Sequence, residues 1–161
     1  MKKEKILTEF EVYDGVEELP EAVQTLMQEA KRARLKAYAP YSNFLVGAAI
    51  SLENGVIVTG NNQENASYPS GLCAERTAIY AAGANYPGVK IRSIALTAGP
   101  RNVKNTLPVP PCGACRQAVA EYEQKQNHPI EIYFMAQEGK VCKVSSLLHL
   151  LPLAFDRNFL K

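Results

Sequence analysis

The spacing of apolar residues predicts a first helix between Leu19 and Pro40. In this segment apolar residues recur every three or four positions, which places them on one face of a helix. Pro20 suits the first helical turn, basic residues crowd the last turns, and Pro40 is expected to end the helix. The predicted apolar face consists of Leu19, Ala22, Val23, Leu26, Met27, Ala30 and Ala33.

Five later segments have the apolar, β-branched composition of strands. Two of them flank Asn54-Gly55, a pair that favours a type I′ hairpin turn. The five are "FLVGAAISL", "GVIVTGNN", "VKIRSIALTAG", "IEIYFM" and "KVCKVSS". Further helices are predicted from about Cys73 to Ala82, over "CGACRQAVAEYEQK", and over "SSLLHLLPLAF", which Pro152 ends. This alternation predicts an α/β fold of three layers (α/β/α), with a mixed five-stranded sheet flanked by helices.

The chain of 161 residues suits one domain with a sizeable core. We expect this domain to span residues 19–161 and residues 1–18 to form an N-terminal extension. In the extension, apolar residues and one threonine recur at period two, so a short strand is a further expectation. They are Ile6, Thr8, Phe10 and Val12.

Composition and charge narrow the classes of partner. Apolar residues make up 47% of the chain and charged residues 21%, as in ordinary globular proteins. The formal net charge is +2 and the basic residues are scattered, so no nucleic-acid partner is expected. No apolar run reaches membrane-spanning length, and the first lysines precede no signal-peptide stretch, so no membrane partner is expected. We therefore expect a cytoplasmic protein whose reduced cysteines act as ligands or nucleophiles.

Three cysteines stand at predicted helix starts. Cys112 and Cys115 share one start, where residues three apart lie on one face, and Cys73 stands at another. Helix N-termini carry unpaired N–H groups and partial positive charge, which favour thiolates. Two such starts that meet would hold three thiolates around one zinc ion and leave a coordination position open, as in catalytic zinc sites.

Glu75 lies two positions after Cys73, which in a regular helix would point its side chain roughly 200° away. The two residues can share a site only if Cys73 is the N-cap, so we predict that the helix begins there. Zinc lowers the pKa of bound water to about 7, and a neighbouring carboxylate can shuttle the proton. Glu75 is therefore the candidate catalytic residue, and Arg76 the candidate for offsetting the thiolate charge.

The same residues also fit plainer interpretations. A PCxxC sequence can be a structural zinc or redox motif, and glutamate is common in the first turn of a helix. Cys142 could add a fourth ligand and close a structural Cys₄ site, although a buried apolar role is commoner for a strand cysteine. Spacing alone favours a catalytic site without excluding these alternatives.

Longer stretches of the chain resemble the cytidine deaminase family. The matching blocks, in the family's order, are "AYAPYSNFLVGAAI", "NQENASY", "CAER", "PCGACRQ" and "LLPLAF". The resemblance implies hydrolytic deamination of cytidine and deoxycytidine to uridine and deoxyuridine, in pyrimidine salvage. Zinc deaminases as a class use a three-ligand zinc site with a non-ligand glutamate. The resemblance thus implies one zinc per subunit on Cys73, Cys112 and Cys115, with Glu75 as proton shuttle and Arg76 beside the thiolates.

The resemblance also implies roles for the rest of the site. Asn62 and Glu64 would bind ribose hydroxyls, Phe44 would contact the pyrimidine, and backbone groups around Ala74 would face the base. Phe155 would reach a neighbouring subunit's site, because small members of the family are homotetramers.

Two rival functions fit part of this pattern. A deaminase of an aminopyrimidine antibiotic such as blasticidin S would keep the zinc ligands and glutamate but need no ribose clamp. A structural zinc module would have no use for the glutamate. Asn62 with Glu64 therefore favours a nucleoside, and Glu75 favours an enzyme.

Overall fold

Six strands form one mixed sheet in the computed structural model, which describes residues 1–160. Lys161, the last residue of the predicted domain, lies outside the described residues. The strands lie in the order β1-β6-β5-β4-β2-β3; β4 and β5 are parallel and all other neighbours antiparallel. Their bounds are β1 (Glu11–Tyr13), β2 (Phe44–Leu52), β3 (Ile57–Asn61), β4 (Ile91–Pro100), β5 (Glu131–Met135) and β6 (Val141–Val144).

Helices cover both faces of the sheet. They are α1 (Glu21–Arg34), α2 (Ala74–Asn85) and α3 (Gly113–Gln126). Because side chains alternate along a strand, Ala48 and Ile50 of β2 join the core under α2 and α3, whereas Ala49 joins the core under α1. The predicted three-layer α/β fold is therefore confirmed.

The sheet has one strand more than the five predicted. The extra strand, β1, belongs to the N-terminal extension and pairs antiparallel with β6, Val12 lying opposite Cys142. Residues 1–10 form no helix or strand. The short strand expected in the extension thus exists at the edge of the sheet, while the domain boundary at residue 18 stays a prediction.

Two predicted boundaries were wrong. α1 ends at Arg34, well before Pro40, because Lys36 N and Ala37 N donate to carbonyls three residues back and tighten the chain into a turn. The expected terminal helix is a 3₁₀ turn at Leu147–His149, followed by another at Arg157–Leu160. Leu153, between them, has a left-handed φ of 61°, which interrupts helical structure.

The hairpin turn also differs from the predicted type I′. That turn needs positive φ at both central residues, and of Asn54 and Gly55 only the glycine has it, with φ 84°. Glu53 N donates to Lys90 O outside the hairpin.

No helix in the described part of the chain is both long and apolar enough to cross a membrane.

Candidate active site

The starts of α2 and α3 carry the cysteines. Cys73 is the N-cap of α2, with φ −72° and ψ 156°, and Cys112 is the N-cap of α3, with φ −68° and ψ 165°. Both are extended residues immediately before a helix, so the predicted start of α2 at Cys73 is confirmed. α2 approaches β3 so closely that a Cβ at Gly60 would lie 2.6 Å from Ala74 O. This close approach sets the start of α2 against the sheet.

The three cysteine sulfurs form one cluster. The Sγ atoms of Cys73, Cys112 and Cys115 all lie within 4.8 Å of one another, and those of Cys73 and Cys112 are 3.8 Å apart. Tetrahedral zinc with Zn–S bonds of about 2.3 Å would separate its sulfurs by about 3.8 Å. Cys142 lies in the core of β6 and does not belong to the cluster. The site therefore suits zinc with three thiolates and one open position.

Arg76 lies beside these sulfurs. Its Nη2 is 3.6 Å from Cys73 Sγ. A hydrogen bond from the Cys115 thiol, with help from Arg76, lowers the pKa of Cys73 to about 5, whereas that same bond and burial raise the pKa of Cys115. The contact with Cys73 in turn raises the pKa of Arg76. The guanidinium is thus placed to offset the negative charge of the cluster.

Glu75 faces the same point from the first turn of α2. Its side chain is 5% exposed and lines a cavity together with Cys73 and Cys112. Burial raises the pKa of Glu75, and the neighbouring Cys73 thiolate adds to this effect. A buried carboxyl that still reaches a cavity beside a metal-binding cluster has the placement of a proton-transfer group.

The cavity measures about 640 Å³, within the range of small-molecule sites. Its lining includes two exposed tyrosines, Tyr41 and Tyr68, whose ring centroids lie 5.9 Å apart. Besides Glu75 and the cysteines, its lining includes Tyr41, Ser42, Phe44, Val46, Asn62, Glu64, Tyr68, Leu96, Ala98, Val109 and Pro110. The cavity thus combines apolar side chains, which suit a flat ring, with polar and ionisable groups.

Glu64 lines the same cavity from the chain just after β3. Its Oε2 accepts hydrogen bonds from Tyr41 N at 2.9 Å and Ser42 N at 3.3 Å, and its Oε1 accepts from the Ser42 hydroxyl. The Ser42 hydrogen bond is the main cause that lowers the pKa of Glu64. Three donors therefore hold the carboxylate charged and in a fixed orientation.

The side chain of Asn62 forms two hydrogen bonds with the backbone of β2. Its Oδ1 accepts from Val46 N and its Nδ2 donates to Phe44 O, both at 2.8 Å. The amide therefore bonds to the backbone on both sides of Leu45, as a neighbouring strand would. Asn62 is buried (9% exposed), and its two hydrogen bonds fix the backbone of Phe44, a residue that lines the cavity.

The structure brings most of the predicted residues together. Phe44, Asn62, Glu64 and Glu75 line one cavity with Cys73 and Cys112, and Cys115 lies fully buried behind them. Ala74 is fully buried and lies outside the lining. Phe155 also lies outside it and stacks on Phe159 at 5.7 Å. The roles expected for Ala74 and Phe155 stay predictions, as do ribose binding by Asn62 and Glu64 and the contact of Phe44 with the base. Both polar atoms of the Asn62 amide already bond to the backbone of β2.

Sequence reasoning missed Ser42. Its hydroxyl both donates to Glu64 and accepts from Phe44 N at 3.0 Å, so it links the two residues expected to contact sugar and base. The available signal was its place in the block "YSNF", two residues before Phe44.

Comparison with known proteins agrees with this site. Residues 20–128 match the family model described as the cytidine and deoxycytidylate deaminase zinc-binding region. The chain belongs to this deaminase family. It is 40% identical over 137 residues to a cytidine deaminase of Sporosarcina psychrophila, an alignment covering 84% of this chain and 93% of the relative.

Solved structures of the deaminase family share the fold. Cytidine deaminase from Burkholderia pseudomallei superposes with a TM-score of 0.71 at 42% identity, covering 81% of this chain and 97% of the other. Cytidine deaminase from Mycobacterium tuberculosis gives a TM-score of 0.64 at 33% identity, covering 83% and 97%. The similarity therefore extends over nearly the whole length of these enzymes.

Proposed function

We propose that this deaminase catalyses the hydrolysis of cytidine and deoxycytidine to uridine and deoxyuridine, with release of ammonia, as a step of pyrimidine salvage. The observation that carries the proposal is a single cavity whose lining brings together two chemically distinct groups of residues, called here its metal end and its sugar end. The metal end is the buried carboxyl of Glu75 beside the cluster of three thiols, and the sugar end is the polar pair Asn62 and Glu64. Relatives named cytidine deaminase, at about 40% identity and with high coverage, support the same substrate.

Cys73, Cys112 and Cys115 would hold one zinc ion per subunit at the first end. When bound there, zinc would act as a Lewis acid that lowers the pKa of its bound water to about 7, so that hydroxide is available at neutral pH. Arg76 offsets part of the charge of the three thiolates. The cavity beside these cysteines, whose lining includes Glu75, would hold the water on which zinc acts.

Glu75 moves the protons of the reaction. It takes a proton from the water that attacks C4 of the pyrimidine and delivers it to N3, so that the ring nitrogen is neutralised as the C–O bond forms. It then carries the second proton of that water to the amino group. The C4–N bond breaks, ammonia leaves, and the remaining C4 oxygen becomes the carbonyl of uridine. Such proton transfer accelerates a reaction by roughly 10²–10⁴-fold.

The other end binds the sugar and orients the base. The Glu64 carboxylate accepts a hydrogen bond from a ribose hydroxyl, and Asn62 holds the backbone of Phe44 so that its ring packs on the pyrimidine. Both substrates have a 3′-hydroxyl, so this arrangement serves cytidine and deoxycytidine alike.

We further propose that the chain works as a cytoplasmic homotetramer. Exposed apolar residues near the C-terminus support self-association: Leu153 is 91%, Phe155 58% and Phe159 69% exposed. The four cysteines are all unpaired, which supports a reducing compartment. Sedimentation velocity of the purified protein tests the assembly, and a monomer at micromolar concentration would contradict it.

The test of function is an ultraviolet assay on zinc-loaded protein with cytidine, deoxycytidine and blasticidin S as separate substrates. We expect turnover of both nucleosides, loss of turnover after zinc is removed by a chelator, and recovery when zinc is restored. Turnover of blasticidin S alone would overturn the nucleoside assignment. Zinc-loaded protein that leaves all three compounds unchanged would overturn the enzymatic proposal.

A further inference from the structure

Two arginines follow the zinc-binding cysteines in sequence, and their guanidinium groups bind different partners. Arg76 follows Cys73 by three positions and reaches its sulfur. Arg116 follows Cys115 directly and bonds to backbone instead: its Nε donates to Pro111 O and its Nη1 donates to Leu150 O, both at 2.8 Å. One guanidinium therefore connects the peptide just before Cys112 to a distant segment of the chain.

The segment that Arg116 holds has few other attachments. Residues 108–112 include three prolines, which have no N–H to donate. Within residues 1–160, the hydrogen bonds that hold this segment's backbone come from Arg116, through its side chain to Pro111 O and its own N–H to Cys112 O at 2.9 Å. Pro111 is buried, so its carbonyl needs a partner inside the protein. The guanidinium supplies that partner.

The segment around Leu150, the second partner of Arg116, is itself held in place by hydrogen bonds. Leu150 follows the 3₁₀ turn at Leu147–His149, and the buried carboxylate of Glu123 fixes the start of that turn. Glu123 accepts from Leu147 N at 2.9 Å and from the Ser146 hydroxyl at 2.9 Å. Arg116 therefore fastens the loop before Cys112 to a part of the fold that α3 itself holds in place.

We infer that Arg116 is a positioning residue for the metal site: by bonding to Pro111 and Leu150 it fixes Cys112 where its sulfur meets those of Cys73 and Cys115. The inference rests on the proposed zinc-dependent function. The same tether fixes Val109 and Pro110, which form one wall of the cavity. Arg116 thus acts on zinc through the backbone of Cys112, without touching the sulfur atoms.

The test is the zinc dissociation constant, measured by competition with a chromophoric chelator on metal-free protein at neutral pH. Arg116→Met should raise the constant about 10–100-fold, the usual effect of removing a group that orients a metal ligand. Arg116→Lys keeps the charge but lacks a fork that spans two carbonyls, so it should raise the constant less. Arg92→Met is the matched control, because the exposed Arg92 side chain forms no hydrogen bond or ion pair within residues 1–160, and its constant should match the wild type.

The outcomes separate this inference from the proposed function. A folded Arg116→Met protein with an unchanged zinc constant would overturn the inference and leave the function standing. A purely structural role would lower the melting temperature of the metal-free and zinc-loaded forms equally and also leave the constant unchanged. If Arg116→Met does not fold, Arg116→Lys decides by the same criterion. Wild-type protein that binds no zinc would overturn both proposals.

Discussion

The two ends of the cavity are built in different ways. At the metal end, the cysteines and Glu75 stand at the starts of two helices, and Glu75 and Cys115 are buried, whereas Cys112 is exposed. At the sugar end, two loops meet, and Glu64 is only half-buried, with its position set by hydrogen bonds from Tyr41 and Ser42. Under the proposed function, the carboxyl that transfers protons is thus more deeply buried than the carboxylate that binds the sugar.

This difference predicts different consequences of mutation. Groups at the metal end act on the transition state, so their loss should lower kcat. Under the proposed function, Glu64 at the sugar end binds a part of the substrate that does not react, so its loss should raise KM more than it lowers kcat. If substitutions at the two ends change the same kinetic constant, the two ends do not have separate roles in chemistry and in sugar binding.

The largest effect should come from Glu75→Gln at the metal end. The amide keeps the shape of the side chain but cannot accept and return a proton, so kcat for cytidine should fall by roughly 10²–10⁴-fold. Zinc content, measured on the same sample, should stay at one ion per subunit. Glu121→Gln on the exposed face of α3 is the control and should keep full activity. Loss of zinc together with activity would make Glu75 a structural residue instead.

The second prediction concerns Glu64→Gln at the sugar end. A hydrogen bond to a charged group contributes about 1.5–3 kcal/mol, so kcat/KM for cytidine should fall about tenfold to a hundredfold, mainly through KM. Inhibition by free cytosine, which has no sugar, should not change. Glu53→Gln, in the exposed hairpin turn, is the control. A matching loss of affinity for cytosine would place Glu64 at the base rather than the sugar.

The two ends also differed in how far sequence could predict them. Cys112 and Cys115 share a helix face by local geometry, and the need for Cys73 and Glu75 to meet placed the start of α2 correctly. The sugar end depends on loops about twenty residues apart in sequence, and no local rule indicates that the Ser42 hydroxyl meets Glu64. Its residues were assigned only through family resemblance.

In the fold, too, sequence predicted the features that depend on local spacing better than those that do not. Periodic patterns predicted the three long helices and the five main strands, because burial of one face depends on local spacing. The predicted end of α1 was wrong because a local turn after Arg34 tightens the chain, a feature that apolar spacing does not report. Distant contacts account for two further departures: β1, expected as a short strand, pairs with β6 and adds a sixth strand to the sheet, and the hairpin turn departs from type I′ beside the contact between Glu53 and Lys90.

The third prediction uses pH to examine the sugar end. The Ser42 hydrogen bond lowers the pKa of Glu64 from its ordinary 4.5, so the carboxylate stays charged as pH falls through that value. In Ser42→Ala the pKa should rise toward 4.5, so KM for cytidine should begin to increase at a higher pH than in the wild type. At neutral pH Glu64 is charged in both proteins, and the change should be only about threefold.

The measurement is the ratio of KM in Ser42→Ala to KM in the wild type, followed from about pH 7 to about pH 4. Both proteins share the metal end, so effects of zinc ligands cancel in the ratio. Ser42→Thr keeps the hydroxyl and should restore the wild-type profile. A ratio that stays constant with pH would show that Ser42 does not act through the carboxylate of Glu64.

The smallest effect is expected from a region that touches neither end. β1 lies at the opposite edge of the sheet from β3, and it is held by three residue pairs with β6 and by an ion pair of 3.3 Å between Glu11 and Lys143. Deleting residues 1–13 should lower the melting temperature, since Tyr13 packs against the core under α1, yet leave kcat and KM within about twofold of the wild type. Deleting residues 1–10 keeps β1 and should lower the melting temperature less. A large fall in kcat after the longer deletion would mean that the whole sheet, and not only the helix starts, holds the metal end rigid.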